Sequence, residues 1–205
     1  GGVTMEYSAV STMWILVGTV LIFFMQAGFA MVETGMTRVK NAGNIAMKNL
    51  IDYCIGAIAF WLVGFGIMYG GSGLVLGKIK GIAVESVYGN GMIPEGVPFW
   101  AFLIFQTVFA ATAATIVSGA MAARTKFAAY CVYSLMISLV IYPISGHWIW
   151  GGGWLSKLGF HDLAGSTVVH MVGGAAAFAG AWMLGPRIGK YSRSGKAKKI
   201  PGHSM

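Results

Sequence analysis

Apolar residues in this chain fall into five long runs, and the polar residues gather between them. The runs lie at about 8–32, 45–69, 98–123, 127–146 and 163–184. Each reaches the roughly 20 mainly apolar residues that a helix needs to cross a bilayer. The interval Gly70–Val97 holds Lys78, Lys80, Glu85, Glu95, glycine and proline without periodicity, and reads as a loop. The interval Gly146–Asp162, "GHWIWGGGWLSKLGFHD", brings Trp148, Trp150 and Trp154 to the place where indoles favour the membrane–water boundary. The pattern predicts an all-α polytopic membrane protein, a bundle of five transmembrane helices.

Small residues say how those helices pack. Gly56, Gly64, Gly66, Gly119, Gly173, Gly174 and Gly180 lie within the runs, and "AATAATIVSGAMAA" occupies Ala110–Ala123. Lipid offers no hydrophobic drive for helices to associate, so close backbone approach over small residues has to supply it. A tightly packed bundle follows, rather than a single anchor.

Composition strengthens this picture. Of 205 residues, 57% are hydrophobic and 10% charged, against about 25% charged in an ordinary soluble domain. Mean hydropathy is +0.72. The opening Gly1-Gly2, with no initiator Met and no signal peptide, is the start expected of a processed or partial chain.

The formal net charge of +8 suggests nucleic acid only until its distribution is read. Alternating sides through five spans puts Arg38, Lys40, Lys48, Arg124, Lys126, Arg187, Lys190, Arg193, Lys196, Lys198 and Lys199 on one side. Lys78, Lys80 and Lys157 fall on the other. Basic residues favour the cytoplasmic side of short loops, so the N-terminus is expected outside and the C-terminus inside. The basic excess then reports topology and contact with anionic membrane lipid, not nucleic acid. Cys54 and Cys131 lie inside apolar runs and read as small buried hydrophobes, not as a disulfide or metal pair.

Four ionisable residues stand in or beside hydrocarbon, where charge is expensive. Glu33, near Arg38 and Lys40, reads as an ion pair at the inner interface. Asp52, four residues after Lys48, reads as a helix-surface pair at that same interface. Asp162, just before the fifth run, suits capping of that helix; the alternative is that its carboxylate lends negative potential to a cation at the outer mouth, and the two roles can coexist. His170, roughly 12 Å further along the axis, either bonds a neighbouring helix or lines a path for proton-bearing solutes. Gly173 and Gly174 are expected to leave its face clear. Phe105 and Phe109 share one face of the third run, with Gln106 beside them and Trp150 in the outer loop. Such aromatics either pack or hold a small cation against their ring faces.

Three stretches resemble the Amt/Mep/Rh family of ammonium transporters. "FFMQAGFAMVETGMTRVKNAGNIAMKNLID" (Phe23–Asp52) is similar to its first two spans. "FQTVFAATAATIVSGAMAARTKFAAY" (Phe105–Tyr130) is similar to its third span and third loop. "YPISGHWIWGGGWL" and "DLAGSTVVHMVGGAAAFAGAWMLGPRIGKY" are similar to its signature region through the fifth span. The resemblance implies residues 1–205 as the N-terminal half of an eleven-span inverted-repeat transporter, with 186–205 as cytoplasmic linker. It implies Phe105, Trp150 and Asp162 at an outer ammonium-binding site, Phe109 as the outer pore gate, and His170 as a pore-lining proton relay. It further implies a multi-pass protein of the plasma or inner membrane, assembled as a homotrimer and completed by a second half from the same or another chain, with a possible cytosolic regulatory protein. No cofactor and no metal are expected.

The function so implied is ammonium transport. The cation is recruited outside, deprotonated, and passed as ammonia along a hydrophobic pore lined by histidine. Potassium has similar charge but no proton to give up, so selectivity would come from chemistry rather than size. The alternative is an ammonium sensor using the same site and signalling to a cytosolic partner. An intramembrane enzyme built on His170 and Asp162 lacks a nucleophile–base pair and a metal-ligand cluster.

Overall fold

The computed structural model describes residues 6–71, 73–89 and 92–203. Both ends of the expected 1–205 domain, including Gly1-Gly2, lie outside the described residues. Five helices are long and apolar enough to cross a membrane: Ala9–Met36, Val39–Tyr69, Phe99–Met121, Phe127–Lys157 and Ser166–Leu184. They are called the first to fifth spans below. Apart from one bridge between Tyr191 and Ala197, no β-structure occurs among the described residues.

Hydropathy alone would end the first span near residue 32, but polar side chains carry it a turn further. The Thr34 hydroxyl donates to the Ala30 carbonyl, and the Thr37 hydroxyl donates to the Thr34 carbonyl at 3.0 Å. At its start, the Ser8 side chain accepts from the Ser11 N–H at 3.2 Å, an N-cap bond. The fourth span also outruns its apolar stretch. It continues through Ile149, and after Gly151–Gly153 a last turn forms at Trp154–Lys157.

The third span is the core about which the others pack. Ala110, Ala111, Ala113 and Ala114 are completely buried on it. Gly56 of the second span approaches so closely that an added Cβ would lie 3.2 Å from the Ala111 Cα. On the fifth span a Cβ at Gly173 would lie 2.8 Å from the Ile116 Cβ and 2.9 Å from the Ala113 oxygen. The small residues therefore set the helix–helix distances. Gly173 does not clear space for His170; it is the contact that seats the fifth span on the third. Gly174 alone faces open space.

Three spans contain a π-helical turn: Phe60–Gly64, Ile137–Ile141 and Ser166–Met171. Such turns widen a helix locally and are frequent at functional sites. The first two meet, since a Cβ at Gly64 would lie 3.0 Å from the Ser138 oxygen. The third carries His170.

The outer loop is tied down by buried polar contacts. His147 is fully enclosed, with Nδ1 2.7 Å from the Met68 oxygen and Nε2 2.8 Å from the Gly73 oxygen. The Trp148 indole donates to the Val75 oxygen at 3.0 Å. These bonds fix the outer end of the fourth span, and with it Trp150. Cys54 lies exposed on the surface of the bundle, against the buried position expected, and Cys131 is half-buried; both are free thiols.

Candidate functional site

At the outer end of the bundle a cavity of about 480 Å³ opens between the first four spans, the loop before the third span and the loop before the fifth. Phe102, Phe105, Gln106 and Phe109 of the third span line it with Trp150, Tyr69 and Ala164. The i, i+4 spacing of Phe105 and Phe109 brings their rings edge-to-face, centroids 5.1 Å apart. Phe109 meets Trp150 at 5.5 Å and 67°. Three aromatic residues singled out from the sequence thus stand in one wall. Ring faces of this kind attract a small cation, most strongly where water is excluded.

Asp162 sits beside this wall and acts through the backbone. Its Oδ1 accepts from the Gly165 N–H at 3.1 Å, and its Oδ2 accepts from the N–H groups of Thr167 at 2.9 Å and Val168 at 2.7 Å. Thr167 and Val168 supply two of the first amides of the fifth span, which have no partner within the helix, and Gly165 is the capping residue before it. The carboxylate reaches them across a turn that includes Ala164 at φ +57° and Gly165 at φ +86°. A left-handed alanine is strained, and the three bonds to Asp162 hold it in place. Gly165 is needed there: a Cβ would lie 2.7 Å from Val169 Cγ2 and 3.4 Å from the Trp150 ring. Asp162 therefore shapes the cavity edge as well as capping the helix.

His170 does not join this cavity. It lies on the exposed side of the fifth span, where Met171, Phe178, Trp182 and Met183 are also largely uncovered. Its backbone N–H bonds the Gly165 oxygen at 3.0 Å, which closes the π turn. The open faces of the bundle are on the first and fifth spans, and His170 stands at the level where the helix is widened.

Glu33 and Asp52 are not interfacial surface residues. Glu33 is 8% exposed, Lys48 1% and Asp52 0%. Asp52 stands thirteen residues into the second span, on the order of 20 Å from its start. Tyr130 donates its hydroxyl to Asp52 Oδ2. Lys48 Nζ lies 4.8 Å over the Tyr130 ring, the cation–π geometry. Asn49 donates to Glu33 Oε2 at 2.9 Å. Gln26 donates to Thr112 at 3.0 Å, and Thr115 donates back to Gln26 Oε1 at 3.1 Å. Four spans are joined by this buried polar cluster.

A sequence signal for the cluster exists. Ile45, Lys48, Asn49, Asp52, Gly56 and Ala59 follow helical spacing and are all buried, while Met47, Leu50, Cys54 and Ile58 on the other side are exposed. In a membrane the polar stripe of a helix turns inward. Proximity of Lys48 and Asp52 to basic loops suggested the interface, but their shared face with residues that must pack gives the better reading. Among the described residues no three His, Cys, Asp or Glu side chains come together to hold a metal ion.

Comparison with known proteins places these features in context. The model of the Ammonium Transporter Family matches residues 13–205. Ammonium transporter Amt2 of Archaeoglobus fulgidus is 47% identical over 206 residues, covering 96% of this chain and 43% of that protein. A putative ammonium transporter of Synechocystis is 49% identical over 183 residues, covering 89% of this chain and 41% of that protein. Among solved structures, one named Sensor Amt Protein superposes with a TM-score of 0.86 at 41% identity, covering 94% of this chain and 48% of that one. Candida albicans Mep2 superposes with a TM-score of 0.85 at 27% identity, covering all of this chain and 45% of that one. The chain thus spans less than half the length of these relatives.

Proposed function

The chain belongs to the ammonium transporter family, and from that membership we propose that it forms the N-terminal half of a transporter that carries ammonium or ammonia across a cell membrane. Residues 1–205 supply five spans of the domain, with 186–205 as the inner linker. The family is a transporter class rather than an enzyme class.

The observation that carries the reading is the aromatic cavity at the outer mouth. Phe105 and Trp150 would hold the cation against their ring faces, with the negative potential of Asp162 nearby. Phe109, in contact with both rings, would close the way inward. Moving an unpaired ion through an apolar passage costs several kcal/mol or more. Release of the proton at the mouth removes that cost, and neutral ammonia then passes. His170 would meet it deeper in, where a neutral imidazole can accept at one nitrogen and donate at the other. Its exposed position suits a pore completed by further helices packed on the fifth span. A homotrimer and a cytosolic regulator belong to the same proposal.

Sensing would use the same outer site. The relatives named as transporters and the family model favour transport over it. The test is ammonium uptake into liposomes holding the full-length protein. Flux that falls at least tenfold in His170→Ala, with unchanged thermal stability, supports the pore role. Binding without flux in the unaltered protein would reverse the choice in favour of the sensor.

A further inference from the structure

At the inner end of the bundle a second cavity, of about 150 Å³, lies between the first loop, the third loop and the tail after the fifth span. Arg38, Lys40 and Arg187 converge on it, with Thr37, Asn41 and Ala123. The tail lines it through Ile188 and Ile200 and is tied to the end of the first span: His203 N–H donates to the Gly35 oxygen at 2.8 Å, and His203 Nδ1 lies 2.8 Å from the Thr37 oxygen.

Three observations point to an anion. The first is pre-organisation. One nitrogen of Arg38 donates to the Ile188 oxygen at 3.0 Å, and one of Arg187 donates to the Gly119 oxygen at 2.9 Å. A guanidinium has five N–H donors in a planar fork, so each is held in place with donors to spare. The second is uncompensated charge. The chain has six acids. Glu6, Glu85, Glu95 and Asp162 belong to the outer side, while Glu33 and Asp52 are buried and bonded within the bundle. Among the described residues, nothing acidic on the inner surface answers Arg38, Lys40 and Arg187. Burial, and secondarily the charge of Arg187, pull the neighbouring Arg124 below the usual guanidinium range. The third is strain. Only two non-glycine residues among those described have positive φ, Ala164 at +57° and Ala123 at +61°. The first edges the outer cavity and the second this inner one. Sparsely populated backbone of this kind clusters at ligand sites.

We propose that the inner cavity is a binding site for a phosphate group, held between the guanidinium groups of Arg38 and Arg187 and the ammonium of Lys40. Arginine forks match phosphate oxygens two at a time, and a lysine adds a point charge. The phosphate has two sources, the headgroup of an anionic lipid of the inner leaflet or a soluble phosphate. The site is independent of the transport reading.

The test uses the full-length protein in neutral detergent, with two probes. One is inorganic phosphate, titrated calorimetrically. The other is phosphatidylglycerol against phosphatidylcholine, with retained lipid counted by native mass spectrometry. Lys40 makes no hydrogen bond or ion pair among the described residues, so Lys40→Gln should leave the fold intact, which size-exclusion and thermal unfolding check. Removing one charge weakens anionic-lipid attraction about fivefold. Lys40→Gln should therefore lower affinity about fivefold and the pair Arg38→Gln, Lys40→Gln on the order of twenty-fivefold. Arg38→Lys should weaken binding although charge is kept, because the fork is lost. Lys78→Gln with Lys80→Gln, on the outer side, should change nothing. That ordering with phosphatidylglycerol alone identifies a lipid headgroup, and with inorganic phosphate as well a soluble phosphate. No binding of either probe, or binding indifferent to Lys40→Gln and to the inner pair, overturns the proposal.

Discussion

Asp162→Ala removes three hydrogen bonds at once. In the native protein the carboxylate accepts from Gly165, Thr167 and Val168 at 2.7–3.1 Å. A hydrogen bond to a charged group contributes about 1.5–3 kcal/mol, but these three share one acceptor group that is only half-buried, so they do not simply add. A lost cap alone costs about 0.5–2 kcal/mol. The strained turn at Ala164 then loses the contacts that stabilise it, a further cost of order 1 kcal/mol. The sum is about 1.5–3 kcal/mol, or a fall in Tm of about 3–12 °C for a chain of this size. Asp162→Asn keeps one acceptor oxygen and should lose roughly half as much. Thermal unfolding of both variants in one detergent measures the difference. Ammonium binding should weaken in step, because the turn that edges the cavity relaxes. A Tm within 1 °C of the native protein for Asp162→Ala would show that the carboxylate neither caps the span nor holds the turn, and the account of the outer site would fail with it.

Trp150→Leu removes the ring against Phe109, a contact of about 0.5–1.5 kcal/mol beyond its buried area; discrimination of ammonium over potassium in liposomes should fall several-fold, and unaltered selectivity would remove Trp150 from the site. Asp52→Ala leaves the buried Tyr130 hydroxyl without its acceptor and removes one of the two carboxylate charges, Glu33 and Asp52, that act on buried Lys48, and should cost about 2–4 kcal/mol, whereas Tyr130→Phe, which deletes only the hydroxyl, should cost about 1–2 kcal/mol; chemical denaturation that ranks the two the other way would place the charge outside the bundle. Gly173→Leu drives a side chain into Ile116 and the Ala113 oxygen and should separate the third and fifth spans, seen as new reactivity of a cysteine introduced at Ala113; no gain in reactivity would contradict the close approach.

The five spans were legible because apolar length is a strong signal and the basic loops alternate in register with it. Their ends were less so, since Thr34, Thr37 and the Trp148–Trp154 stretch extend helices by polar bonds that hydropathy does not count. Phe105, Phe109 and Trp150 were found from spacing and from the resemblance, and they meet in one cavity. Charge beside a basic loop points Glu33, Lys48 and Asp52 to the interface, whereas the helical face that Lys48 and Asp52 share with Ile45, Gly56 and Ala59 packs inward. The two left-handed alanines, Ala123 and Ala164, leave no trace in composition or periodicity, because alanine rarely adopts positive φ.

The inward polar stripe of the second span bears on how the protein is made. An aspartate and a lysine near the middle of a helix each raise the cost of entering lipid by about 2.5–3.5 kcal/mol. While the ribosome is still synthesising the fourth span, Tyr130 has not yet arrived to meet Asp52 or Lys48. The second span must then wait in or beside the translocon, sheltered by its neighbours, until that tyrosine emerges. Membrane insertion of this chain is therefore a collective event, and truncation before Tyr130 should leave the second helix poorly integrated and open to quality-control proteases.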